Sequence, residues 1–208
     1  MKWVSRNFVH YDRVATPWLI LRFVDPDAEF LFVPWGKEDE RPADAIPYAM
    51  AGVELSDHDG GSPTFERVMA KYRLQDPALD MLALVIRHGV DHIRQHRSPP
   101  ADRAGRLLEG VFAVIEGIML SSPDDITTIQ RALPVFDGLY ATFAAEHALR
   151  QRDDATPPEG VGAPAWRTSF VAAVVARTRL DGRGYDGRGP VVQDDGFEAT
   201  LVATRATI

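Results

Sequence analysis

The chain has 208 residues, no cysteine and a net charge of −7. That length suits one domain, or one domain with an appendage, and is enough to bury a core; the missing cysteines exclude disulfides and thiolate ligands, and the acidic balance with no basic run argues against a duplex nucleic-acid partner. No apolar run reaches about 18 residues and the opening MKWVSRNFVHYDR lacks the apolar centre of a leader, so no membrane span is expected and the expected location is the cytoplasm.

In chain order, KWVSR reads as a short strand. ATPWLILRFV follows, with Thr16 as the expected cap and Pro17 at the first helical position. The Asp-Pro at Asp25 and Pro26 stops that helix, because a residue before proline avoids helical angles. AEFLFVPW is apolar and aromatic-rich, as a buried strand requires. A strand, a helix and a strand within thirty-five residues predict a β-α-β unit with a parallel pair. GVEL reads as a third short strand after the polar loop 36–50.

From Thr64 the periodicity turns helical, with Phe65, Val68, Met69 and Tyr72 on one face. Asp76-Pro77 opens a second such helix, DRAGRLLEGVFAVIEGIML forms a third, and Ser-Ser-Pro-Asp-Asp announces a fourth, in which Pro134 is expected to kink or divide the helix. DDATPPEGVGAPAW has a linker's composition. Beyond it, two β-branched segments flank the Gly-rich DGRGYDGRG, which suggests a hairpin with a long loop or a helix followed by a strand. The expected fold is therefore α/β and mostly helical. A small sheet with a parallel β-α-β start is packed by three to four helices, in a domain over residues 1–150, and a β-rich extension covers 151–208.

Four stretches carry residues able to do chemistry. ELSDHDGGSPTFE sets His58 between Asp57 and Asp59 beside Gly60 and Gly61, either a metal loop or an Asx-rich turn. RHGVDHIRQH places His88, His92 and His96 at helical spacing, with Asp91 alongside; a metal face and a solvated helix end rich in His both satisfy that pattern. YDRVATPWLILRF supplies Asp12, Arg13 and Arg22, where the arginine forks suit a carboxylate or an oxyanion, or a plain Asp-Arg pair. PVFDGLYATF sets Asp137 among apolar residues, with Tyr140 near it, and a carboxylate there needs a partner. No phosphate-binding loop or dinucleotide fingerprint is present.

These same residues resemble the C-terminal domain of the chromate-resistance protein B family. The similar run is Asp12, Arg13, Pro17 to Ile20, Arg22, Phe23, Asp25, Pro26, Glu29 and Phe30 to Pro34; it continues through His58, Gly60 and Thr64-Phe65-Glu66, then His88 with Asp91, and Asp137 to Tyr140. It covers about residues 2–150. The cysteine that the family carries before Thr-Phe-Glu is Pro63 here.

The resemblance implies a pocket holding a divalent metal, Zn, Mn or Fe, on His58, His88, Asp91 and Asp137. Arg13 and Arg22 would meet a small anionic molecule at its rim, and Glu66, Arg22 and Tyr140 would serve the chemistry. Of the two arginines, Arg22 is expected to be the clamp and Arg13 the more structural. The leading expectation is a metal-dependent enzyme of lyase or hydrolase type acting on a small anionic substrate. The alternatives are a metal or oxyanion sensor without catalysis, and a structural adaptor that forms a homodimer through its C-terminal extension. Neither nucleic acid nor membrane is an expected partner.

Overall fold

The computed structural model describes residues 1–56, 61–96 and 98–150, together with two short strand pieces near the C-terminus. Two compact units are present, Met1–Gly138 and Leu139–Ile208. The first holds strand β1 (Lys2–Arg6), helix α1 (Asp12–Phe23), strand β2 (Glu29–Val33), a 3-10 turn (Glu38–Glu40), strand β3 (Ile46–Pro47), helices α2 (Thr64–Lys71), α3 (Pro77–Gln95) and α4 (Arg103–Ser121), and the start of α5 (Asp125–Arg150). The second holds the end of α5 and an antiparallel pair, β4 (Arg183–Gly184) with β5 (Val192–Gln193). The remainder of the expected β-rich extension, and any dimer contact through it, lies outside the described residues.

The sheet has the order β2-β1-β3 and is parallel throughout. Trp3 pairs with Phe30 and Ile46, and Val4 with Leu31 and Pro47. Parallel sheets are covered on both faces, which is why β1 is buried after its first residue. On one face Tyr48 reaches edge-on to both Trp3 and Phe30. On the other, Val4, Val33, Ala45 and Met50 form a small core with Leu31 and Val53.

Two expected boundaries move. The first helix begins at Asp12 rather than at Pro17, and Thr16 lies inside it, its hydroxyl donating to Asp12 Oδ1 at 3.3 Å. Eight of its twelve residues are buried, and a helix enclosed on all sides is set by packing more than by local start signals. The third strand is Ile46–Pro47, not the GVEL segment; Gly52 adopts a positive φ of 73°, which interrupts extension, and Leu55 retains one isolated bridge to Tyr48.

The later helices follow their local signals. Asp76 caps α3 by accepting from Ala78 N and Leu79 N, and Asp102 caps α4 by accepting from Gly105 N at 2.8 Å. Helix α3 passes through Gly89 without a break, and α5 continues through Pro134 undivided. Gly89 is explained by a close approach: a Cβ there would lie 2.1 Å from Cε1 of Tyr11, whose ring is buried under α3 and whose hydroxyl donates to Val85 O at 3.2 Å. Among the described residues no helix is long and apolar enough to cross a membrane.

Candidate functional site

Open sheets with parallel strands present their loops, and usually their ligands, at the carboxyl ends of the strands. Here the turn Asn7–Tyr11 leaves that end of β1 with positive φ at two non-glycine residues, Phe8 (56°) and Tyr11 (34°). Such residues cost about 1–3 kcal/mol each and persist only where their surroundings fix them. The fixing groups are explicit. Asp125 at the start of α5 accepts from Phe8 N at 3.0 Å and Val9 N at 2.8 Å. Arg13 donates through Nη1 to the carbonyls of Arg6 and Asn7, both at 3.2 Å, and through Nη2 to that of Phe8 at 2.9 Å. Asn7 N donates to Val33 O at 2.9 Å, and Asn7 Oδ1 accepts from Trp35 N at 3.2 Å.

Asp12, buried at the start of α1, crosses to α2. It accepts from Thr64 N at 2.8 Å and Phe65 N at 3.1 Å, so the orphan donors of one helix are capped by the carboxylate of another. This explains why α2 begins at Thr64 although its own flanking residue, Pro63, provides no side-chain cap.

Glu66, in the first turn of α2, meets Arg87 of α3. Arg87 Nε donates to Oε1 at 2.7 Å, and Nη2 donates to Oε2 and to Ser62 Oγ, the latter at 3.3 Å. Arg22 and Asp137 form a two-pronged pair, Nε to Oδ1 and Nη2 to Oδ2, each at 3.0 Å, and Trp18 Nε1 also donates to Oδ1. Their side chains are 16% and 19% exposed, so the pair is largely out of water.

The histidines lie along α3 and the turn. His88 Nε2 is buried 3.4 Å from Asp102 Oδ2, within ion-pair range but outside good hydrogen-bond geometry. The bond from Gly105 N, and then His88, hold the Asp102 carboxyl below its ordinary range. His92 and His10 both pack edge-on against Phe112 of α4, with ring centroids 5.9 and 5.5 Å away. Burial holds the His10 imidazole below its ordinary value; Arg13 pushes the same way and Glu116 pulls back.

Of the described residues singled out from sequence, the structure brings Arg22 and Trp18 to Asp137 and Asp12 to Thr64 and Phe65, and places Glu66, His88, Asp91 and Arg13 in separate networks. Glu66 is with Arg87, His88 is with Asp102, Asp91 accepts from Gln95 Nε2 at 3.2 Å, and Arg13 lies on the strand-end carbonyls. Tyr140 is buried on α5 in the second unit. His58, with Asp57, Asp59 and Gly60, lies outside the described residues. Among the described residues no group of three or more His, Asp or Glu side chains is placed to hold a metal. Asp137 is engaged by Arg22 and Trp18, and Glu66 by Arg87.

The roles of Arg87, His10 and Asp125 carry no signal of their own in the sequence. Arg87 stands directly before His88 and Asp125 within a helix-start signal, but neither spacing reveals a partner on another element.

A family model described as the C-terminal domain of ChrB matches residues 3–143, and the chain belongs to that family. Protein ChrB of Cupriavidus metallidurans is 32% identical over 147 residues, a stretch that covers 69% of this chain and 41% of that protein. The chain thus spans less than half of that relative's length. No solved structure gives a significant match.

Proposed function

We propose, from membership of this chromate-resistance family, that the domain binds a small oxyanion beside Arg87 and acts as a sensing module. The observation that carries this is the state of Arg87. Glu66 and Ser62 fix its Nε and Nη2, among the described residues no acceptor meets Nη1, and its side chain is 39% exposed. A guanidinium braced on one edge and open on another is preorganised to receive an anion, and planar forks suit oxyanions. Glu66, the carboxylate that meets Arg87, is engaged by it through both oxygens, which supports recognition rather than acid-base turnover as the reading. Calorimetric titration with chromate, sulfate and phosphate tests this. Binding by the intact protein should fall at least about tenfold in Arg87→Lys, which keeps the charge and loses the fork; equal affinity in both proteins would refute the assignment.

A second reading is a metal-dependent enzyme, of lyase or hydrolase type, on a small anionic substrate, with Zn, Mn or Fe as the Lewis acid. Two features favour it: the buried His88 Nε2, which lacks a well-aligned hydrogen bond, and the ligand-rich sequence around His58. Elemental analysis of native protein decides this. A stoichiometric metal lost in His58→Ala supports it, and protein that retains its fold and anion affinity without metal opposes it. Under either reading the expected partner is a small molecule in the cytoplasm rather than nucleic acid or membrane, and a homodimer through residues 151–208 remains part of the proposal, tested by sedimentation of the full chain.

A further inference from the structure

His10 belongs to the strained turn, between Phe8 and Tyr11, yet its ring packs on another element. It stands edge-on to Phe112 of α4 at an interplanar angle of 78°, and its Nε2 is 3.8 Å from Oε1 of Glu116, one helical turn further along α4. That separation is within ion-pair range and beyond a hydrogen bond; neutral imidazole with its proton on Nδ1 has no donor at Nε2, whereas imidazolium donates from both nitrogens and adds a charge that draws Glu116 in. Four elements near the turn contribute charged or titratable groups: Glu116 on α4, Asp12 and Arg13 on α1, His92 on α3 through the shared Phe112 ring, and Asp125 on α5 through the backbone of Phe8 and Val9. Glu116 is the carboxylate within ion-pair range of His10 Nε2.

We propose that His10 and Glu116 form a proton-operated latch, in which protonation draws the β1–α1 turn toward α4. The turn can transmit such a pull because its backbone is held at the neighbouring residues. Asp125 grips the amides of Phe8 and Val9, and Arg13 grips the Phe8 carbonyl, so displacement of His10 changes the geometry of those bonds and is felt at the start of α5. Positive φ at Phe8 and Tyr11 means the turn is held away from its backbone minimum by these surrounding bonds, so a change in them is registered in the backbone. Burial and Arg13 both resist protonation, so the latch closes only on the acid side of the ordinary histidine range. The latch needs no bound anion and stands or falls apart from the reading given for Arg87.

The test is a heteronuclear NMR titration of the full chain without ligand, from about pH 8 to pH 5, the range over which histidine changes charge. The His10 ring and the amides of Phe8 and Val9 should titrate with one shared midpoint. Glu116→Gln, a half-exposed site that tolerates substitution, should move that midpoint lower and shrink the amide response. His10→Asn should remove the amide response altogether. Flat Phe8 and Val9 amides in the wild-type protein would overturn the latch, and so would a midpoint unmoved in Glu116→Gln.

Discussion

Asp12→Ala gives the most direct measure of how the site is built. The carboxylate is 4% exposed and accepts from Thr64 N, Phe65 N and the Thr16 hydroxyl. The hydroxyl can rotate to a helix carbonyl, but the two amides cannot move without unwinding the first turn of α2. Loss of a helix cap costs about 1 kcal/mol, and a buried donor left without an acceptor costs about 1–3 kcal/mol. Allowing for overlap between these terms, Asp12→Ala should lower stability by about 3–4 kcal/mol. Asp12→Asn keeps one acceptor oxygen and loses the charge that favours a helix N-terminus, so about 1–2 kcal/mol is expected. Urea denaturation followed by circular dichroism reads both, as a fall in midpoint at constant slope. A loss below about 1 kcal/mol in Asp12→Ala, or an Asn variant no better than Ala, would refute the cross-helix cap as the support of α2.

Arg22→Lys should lower stability by about 1–3 kcal/mol, since it breaks a two-pronged and largely desolvated pair, and a double-mutant cycle with Asp137→Asn should return a favourable coupling; unchanged melting with lost anion binding would instead make Arg22 a ligand clamp. Gly89→Ala should destabilise the fold, because the new methyl meets the buried Tyr11 ring, while Gly110→Ala on the open face of α4 should be neutral or stabilising; equal melting temperatures for the two variants would contradict the close approach. Bonds from the Thr127 amide to Asp124 and from the Gly105 amide to Asp102 hold these carboxyls below their ordinary 3.8. Because their folded values are depressed, the stability they contribute is present above 3.8 and lost as pH falls through the folded values; acid titration of Asp124→Asn should show a shallower loss there than the wild-type protein. Fluorescence anisotropy should show no salt-sensitive duplex-DNA binding at physiological salt, as a net charge of −7 offers little phosphate neutralisation, and sub-micromolar binding would overturn this.

The sequence by itself determined the β-α-β opening, the parallel pairing of β1 with β2, the cap and start of α3, the signals that open α4 and α5, and membership of the family through the run from Asp12 to Pro34. These features rest on local chemistry: strand composition, helical periodicity, and caps whose donor and acceptor lie within a few residues of each other. The partner of each charged side chain was decided only in the tertiary structure. Arg22 and Asp137 are 115 positions apart, Asp12 and Thr64 are 52 apart, and Phe8 and Asp125 are 117 apart. No periodicity links such positions, because they meet when helices pack and not when they form. The same packing buries α1 on nearly every side and so moves its start from Pro17 to Asp12, and it places Tyr11 against α3 at the point where only Gly89 leaves room. Asp137 was legible as a carboxylate in need of a partner, but that this partner is an arginine and a tryptophan follows from where α1 and α5 come to lie.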